Sequence, residues 1–219
     1  MVRSENFKIH DITPLVSEDI AIFPGDQKFV RTLILDFDKK DNLTLSSIQT
    51  SVHVGAHTDA PIHYHASGVG MSERALEIYF GDCQVIHVDL SRGSRIFSKD
   101  ISHCPISSKR ILFRTHSFPN PDEWNNDFVA LSAELVNFLA AAGVVLVGID
   151  TPSIDLADDN ILEAHQAVFE NDMAILEGVV LVNVPEAHYF LSALPLKLKD
   201  CDASPVRAIL IEGSLVWNK

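Results

Sequence analysis

Ten histidines occur in this chain of 219 residues, and four of them, His53, His57, His63 and His65, fall between positions 53 and 65. An even scatter would place fewer than one there. Asp59 stands among them, and imidazole nitrogen with carboxylate oxygen is the donor mixture that suits zinc, manganese or iron. Spacing adds to the signal. His53, His57, Asp59 and His63 share parity, so a straight strand would send all four to one side. Four residues of strand nevertheless span roughly 13 Å, too far for His53 and His57 to meet one ion through bonds of about 2 Å. The chain must turn between them, and Gly55 tolerates the backbone angles that a turn needs. A helix would also bring His53 and His57 to one face. Pro61 biases Ala60 away from helical angles and Gly55 weakens a helix further, which favours a strand ending in a ligand-bearing turn. Taken singly, His65, His87, His103 and His188 read as ordinary surface or capping histidines.

The elements that must position these residues mix strands with helices. Ser132 can cap a helix, Glu134 lies in its first turn, and Leu135, Phe138, Leu139 and Ala142 recur at helical spacing before Gly143 ends it. Val144 to Ile149 follows as a strand buried on both faces, as in a sheet covered by helices. It runs into the polar turn Asp150 to Asp155, at the strand end where ligand sites of α/β sheets tend to sit. Thr151 and Ser153 in that turn read as turn and cap residues. Gln84 to Leu90 alternates polar and apolar residues like a half-buried strand, and Arg110 to Arg114 forms a short buried one. A helix is expected over 160–170 and a second buried strand over 178–184. The class is α/β, or mixed α+β.

With 47% apolar residues and no Gly-, Ser- or Pro-rich divider or internal repeat, residues 1–219 read as one domain. The 17 basic and 30 acidic residues give a formal charge of -13, and no Lys/Arg cluster offers a track for phosphates, so nucleic acid is not an expected partner. No signal-peptide pattern opens the chain, and the apolar run Phe138 to Ile149 is about half of what a bilayer requires. Three cysteines, Cys83, Cys104 and Cys201, form neither a disulfide framework nor a C-x-x-C pair. These features predict a soluble cytoplasmic protein with reduced thiols and no membrane partner.

Residues His53 to His63 resemble the H-x-G-T-H-x-D-x-P-x-H motif of the metal-dependent cyclase family, which includes bacterial kynurenine formamidase and isatin hydrolase. Ala56 replaces the usual Thr, as the formamidase branch commonly accepts. Phe23-Pro24-Gly25-Asp26 resembles the family's aromatic-Pro-Gly-Asp signature. Gly148 to Ser153, Ala193 to Leu198 and Ala203 to Ala208 are similar to later formamidase stretches, in the right order and spacing. The resemblance covers nearly the whole chain and points to the arylformamidase branch. It implies a swivelling β/β/α-type fold, a homodimer, and two divalent metal ions per subunit, zinc first and manganese as an alternative. His53 and His57 would bind one ion and His165 the other, with Asp59 and Glu177 bridging. His63 would be the acid/base residue, and Phe23, usually Trp in formamidases, would line the substrate pocket.

The implied reaction is hydrolysis of N-formyl-L-kynurenine to formate and L-kynurenine, a step of tryptophan breakdown. An amide carbonyl is a poor electrophile and neutral water a poor nucleophile; a divalent metal improves both. The aniline leaving group must receive a proton, and a histidine titrating near neutrality suits that task. Two alternatives stand beside this reading: the same fold acting on another small cyclic or aryl amide, such as isatin, and a metal-binding protein without catalysis. Glu177 precedes an apolar run, where an unpaired carboxylate would be costly and a metal would compensate it.

Overall fold

The computed structural model describes residues 8–213. The strands are β1 (Ile9–Asp11), β2 (Val30–Leu35), β3 (Leu45–Gln49), β4 (His57–Asp59), β5 (Phe80–His87), β6 (Arg95–Ile96) and β7 (Arg110–Arg114). They continue as β8 (Ala130–Leu131), β9 (Leu146–Ile149), β10 (Ala174–Leu176), β11 (Ala187–Ser192), β12 (Ala203–Pro205) and β13 (Ile209–Ile211). Two α-helices, α1 (Ala133–Ala141) and α2 (Glu163–Glu170), complete the list with several short 3-10 turns. A mixed seven-stranded sheet runs in the order β1-β13-β11-β5-β7-β9-β10. Its β5, β7, β9 and β10 are parallel, and the remaining pairings are antiparallel. The architecture is mixed α/β.

Alternation along the central strands divides the core into two. Ile86, Ile111, Phe113, Val147, Ile149 and Ile175 point to one face, where Leu135, Val136 and Leu139 of α1 and Ala164, Ala167 and Val168 of α2 cover them. Val85, Leu112, Leu146 and Leu176 point to the other face and meet Ile12, Tyr79, Val179, Leu181 and Val184. Helices therefore cover only one face, and irregular chain covers the second. The expected strand over 178–184 is part of that cover. Gly178 takes φ +66°, which breaks the extended path after β10. Val179 and Leu181 alternate because they lie against the sheet, and Val180 N–H donates to Ile12 O at 2.8 Å.

Smaller differences also have local causes. Helix α1 is capped by Ser132 Oγ, which accepts from Leu135 N–H at 3.1 Å, but Phe138 is exposed and Val136 is buried in its stead. Helix α2 begins at Glu163, three residues after the expected start, because Leu162 is left-handed at φ +57°. The strand expected from Gln84 begins earlier, at Phe80, and ends at His87.

Strands β2 and β3 form a separate two-stranded hairpin. Val30, Leu33, Ile34, Phe37, Leu43, Leu45 and Ile48 along it are all exposed. A lone hairpin with that much open apolar surface is unusual, because two strands by themselves are marginal in water. Among the described residues, no helix is long and apolar enough to cross a membrane.

Candidate metal centre

Two segments far apart in the chain are locked together by backbone pairing. His57 N–H donates to Glu177 O at 3.1 Å, and Glu177 N–H returns the bond to His57 O at 2.9 Å. On its other edge β4 pairs with β12, setting Asp59 opposite Ala203 and His57 opposite Pro205. Thr58, pointing away from the donors, fastens β4 through its hydroxyl to Ile175 O at 2.6 Å. The turn required between His53 and His57 is present, with Gly55 at φ +60°, but it precedes the strand and does not follow it. At Gly178 a Cβ would overlap the Gly55 carbonyl oxygen, so the two glycines permit this close approach.

The side chains converge on Asp59. Its Oδ1 lies 3.1 Å from His53 Nδ1 and 3.5 Å from His57 Nε2, and its Oδ2 lies 3.4 Å from His165 Nε2. Glu177 repeats the pattern, with Oε2 3.2 Å from His57 Nε2 and Oε1 3.7 Å from His165 Nε2. Three donor groups result among the described residues; two of them, His53–His57–Asp59 and Asp59–His165–Glu177, share Asp59, and the third, His53–His63–Asp202, is more exposed. The spacing matches atoms bound to a common ion at about 2.0–2.2 Å, which stand roughly 3.3–3.6 Å apart at tetrahedral angles.

Hydrogen bonding behind the rings fixes which atoms face inward. His57 Nδ1 lies 2.9 Å from Gly55 O, so it carries the proton and Nε2 presents a lone pair to Glu177 and Asp59. His165 Nδ1 lies 2.8 Å from Asp155 Oδ2, leaving its Nε2 toward Asp59 and Glu177 in the same way. Neither oxygen of buried Asp59 has a partner in hydrogen-bond geometry, despite the histidine nitrogens nearby. With these nitrogens deprotonated, lone pairs would face lone pairs in a buried space; protons or a cation must stand between them, and this donor set suits a divalent one.

Titration in the metal-free protein reflects the same field. Burial works against the charged form of His165, but Asp155, Asp59 and Glu177 outweigh it and raise its pKa to about 10. Burial likewise opposes charge on His53, and Asp59 with Asp202 raises it to about 9. Burial would push Asp59 up, yet His165, His53 and His57 hold it well below the usual carboxylate range. Protons thus occupy nitrogens that a bound cation would take over.

A second rank of residues supports the donors. Asp155 accepts from Ala164 N–H and His165 N–H at the start of α2, at 3.1 and 3.0 Å, while Arg95 Nη1 grips it at 2.7 Å. Arg95 also pairs with Asp159 and Glu163. Ile154 N–H donates to Glu177 Oε1 at 2.6 Å. Thr151 Oγ1 donates to Ser153 O, and Ser153 Oγ accepts from Asp155 N–H, which makes both turn residues.

His63 closes the 3-10 turn Pro61–His63, its ring 4.2 Å from that of His53 and 6.2 Å from that of His165. Asp202 Oδ2 joins the group, 2.9 Å from His53 Nε2 and 3.5 Å from His63 Nδ1. The sequence reading passed over Asp202, Asp155 and His116. Asp202 directly precedes the stretch from Ala203 that resembled formamidases, and Asp155 closes the polar turn after β9. His65 stacks on Phe169 at 3.8 Å, away from the donors. His87, His103 and His188 bind Val184 O, Glu186 and Ser107 respectively.

His53, His57, His165 and Glu177 form the floor of a cavity of about 450 Å³. Phe23, Phe118 and Trp124 line it, together with Ile20, Leu181, His116 and Asp150. Phe23 is half-exposed at this wall and meets Trp124 edge to face, with ring centroids 5.2 Å apart. Asp150 is saturated by Thr115 N–H and Oγ1–H and by His116 N–H, and burial raises its pKa against those bonds. It anchors the start of the wall loop, where His116 takes φ +56°.

Residues 10–156 match the Cyclase family model. Kynurenine formamidase of Bordetella pertussis is 39% identical over 206 residues, covering 94% of this chain and 98% of that protein. The chain belongs to the Cyclase family. A solved structure described as a potential metal-dependent hydrolase with cyclase activity superposes at a TM-score of 0.83 with 28% identity, covering 95% of this chain and 99% of that one. Isatin hydrolase A from Labrenzia aggregata, bound to benzyl benzoate, gives 0.82 at 21% identity over 96% of this chain and 95% of its own, a likeness of fold. In this Cyclase member the motif that carried the resemblance, residues 53–63, is the half of the donor set that pairs with Glu177.

Proposed function

We propose that this protein is a metal-dependent arylformamidase that hydrolyses N-formyl-L-kynurenine to formate and L-kynurenine in tryptophan breakdown. The supporting observation is the shared carboxylate: Asp59 faces His53 and His57 with one oxygen and His165 with the other, beneath an aromatic wall. Kinship with kynurenine formamidase over 94% of the chain favours this substrate.

The residues divide as follows. His53 and His57 would hold one divalent ion and His165 a second, with Asp59 and Glu177 shared between them; zinc would suit this set first, manganese also. Bound metal supplies an activated water and a polarised amide carbonyl. His63 takes the proton of the attacking water at the ring nitrogen turned away from Asp202 and delivers it to the aniline nitrogen as the C–N bond breaks. Asp155 keeps the His165 ring oriented, as carboxylates behind metal-ligating histidines do. Phe23 and its aromatic neighbours receive the aryl ring.

Residues 1–219 act as one catalytic unit, and two copies pair as a homodimer. The bare apolar hairpin β2–β3 supports pairing, because a second copy would cover it. The three cysteines are unpaired, which suits the reducing cytoplasm. Metal content and formate release from N-formylkynurenine, measured on one preparation, test the reading. About two metal equivalents with turnover support it; ring opening of isatin without formamide hydrolysis replaces it, and metal without turnover on any amide removes catalysis.

A further inference from the structure

The cavity wall opposite the donors is built from two segments that do not adjoin in sequence. One carries Phe23. The other is the loop from His116 to Phe128, which brings Phe118 and Trp124. The segments are tied by Ala21 N–H donating to Pro121 O at 2.9 Å. Trp124 is held by three perpendicular rings, Phe23, Phe118 and Phe128, at 5.2, 5.9 and 6.0 Å. Its indole N–H is satisfied by Asn126 Oδ1 at 2.5 Å, so it asks nothing polar of a ligand. A rigid, satisfied indole in a cavity is a surface for another flat ring.

We propose that Trp124 is the specificity-determining residue of this site: together with Phe23 it forms the wall on which the aromatic ring of the substrate packs, selecting aryl over alkyl amides. The inference rests on the arylformamidase reading for its substrate, but not for its geometry. The loop carrying Trp124 contributes no metal donor, so its effect falls on ring binding and leaves the chemistry intact.

Trp124→Ala and Trp124→Phe are compared with the parent enzyme for metal content and for kcat and KM on N-formyl-L-kynurenine. The expected result for the alanine variant is a KM raised about tenfold, kcat within threefold and metal unchanged, with most of the loss recovered by phenylalanine. An unchanged KM, or a loss confined to kcat or to metal, overturns the assignment. A second measurement does not require the alanine variant to fold. The protein has two tryptophans; the other, Trp217, lies outside the described residues, and Trp217→Phe leaves Trp124 as the only indole. L-Kynurenine should then quench the emission saturably, whereas L-alanine, with the same amino-acid head and no ring, should not. No quenching by kynurenine, or equal quenching by alanine, overturns the proposal. Quenching by kynurenine in a protein that fails to hydrolyse formylkynurenine overturns the formamidase reading and leaves the aromatic wall standing.

Discussion

His165 and Glu177 on the cavity floor, and Asp59 beneath it, are 3%, 2% and 1% exposed, and each belongs to or directly adjoins a strand or helix. Phe23 on the wall is 46% exposed and sits, like Trp124, on a loop held mainly by other rings. Floor positions are set by directional bonds: the paired backbones of His57 and Glu177, the Gly55 carbonyl behind one imidazole, and Asp155 behind another. The wall is set mainly by ring packing, with the Ala21–Pro121 backbone bond and the Asp150 anchor at its edges. Metal donors tolerate little displacement, whereas a ring surface can shift and still bind a ring. Damage to the floor should therefore abolish the chemistry, and damage to the wall should grade it.

The most severe break is Asp59→Ala, which removes the oxygens shared by two of the donor groups. Metal should be lost and activity should fall by more than about a thousandfold, on the scale of removing a central catalytic group; elemental analysis showing full occupancy would refute the sharing. His63→Ala sharpens the distinction within the floor. It should keep its metal while kcat falls by about 10²–10⁴, the usual worth of a general acid/base, and near-parental turnover would remove His63 from its role. Asp155→Asn probes the support behind His165. Metal affinity should weaken by about 10–100-fold, read by competition with a chromophoric chelator.

The same carboxylate gives a pH test in metal-free protein. Burial tends to raise the Asp155 pKa, but His165 and Arg95 outweigh it and bring it to about 2. An unfolded Asp titrates near about 3.9. The folded value is the lower one, so Asp155 stabilises the fold above about pH 4, and that contribution disappears as pH falls from 4 towards 2. Denaturant titrations should show the loss across that window smaller by on the order of 2 kcal/mol in Asp155→Asn than in the parent. The smallest expected effect on catalysis lies outside both regions. Ile48→Asp on the hairpin should shift a dimer towards monomer by light scattering with little change in metal content; an unaltered mass would free the hairpin from that role.

The chemistry-bearing residues were more legible than the architecture around them. His53, His57, Asp59 and His63 announced themselves by spacing, and the need for a turn at Gly55 followed from strand geometry alone. His165 and Glu177 entered only through resemblance, since nothing local in a helix or before an apolar run declares a partner in β4. Asp202 had no motif of its own; its relation to His53 and His63 exists only once β12 pairs with β4. The strand expected over Val144 to Ile149 forms from Leu146 to Ile149 and is buried on both faces, because fully apolar runs have that meaning in parallel sheets. The 178–184 segment carries the same apolar signal, but the positive φ at Gly178 and the turn at residues 182–183 take it off the sheet edge and leave it as cover for the second face.

The reciprocal backbone bonds between residues 57 and 177 also have a consequence in time. Contacts between residues so distant along a chain carry a large loop-closure cost and form late. During synthesis the histidine-rich segment emerges long before Glu177, the residue that completes the donor set, so only part of that set exists in the interval. The donor set is whole only once β4 closes onto the end of β10, so metal capture there would be coupled to completion of the fold. Bound metal in turn stabilises that closure and not the parts that precede it. An ion held there would act as a late checkpoint of folding.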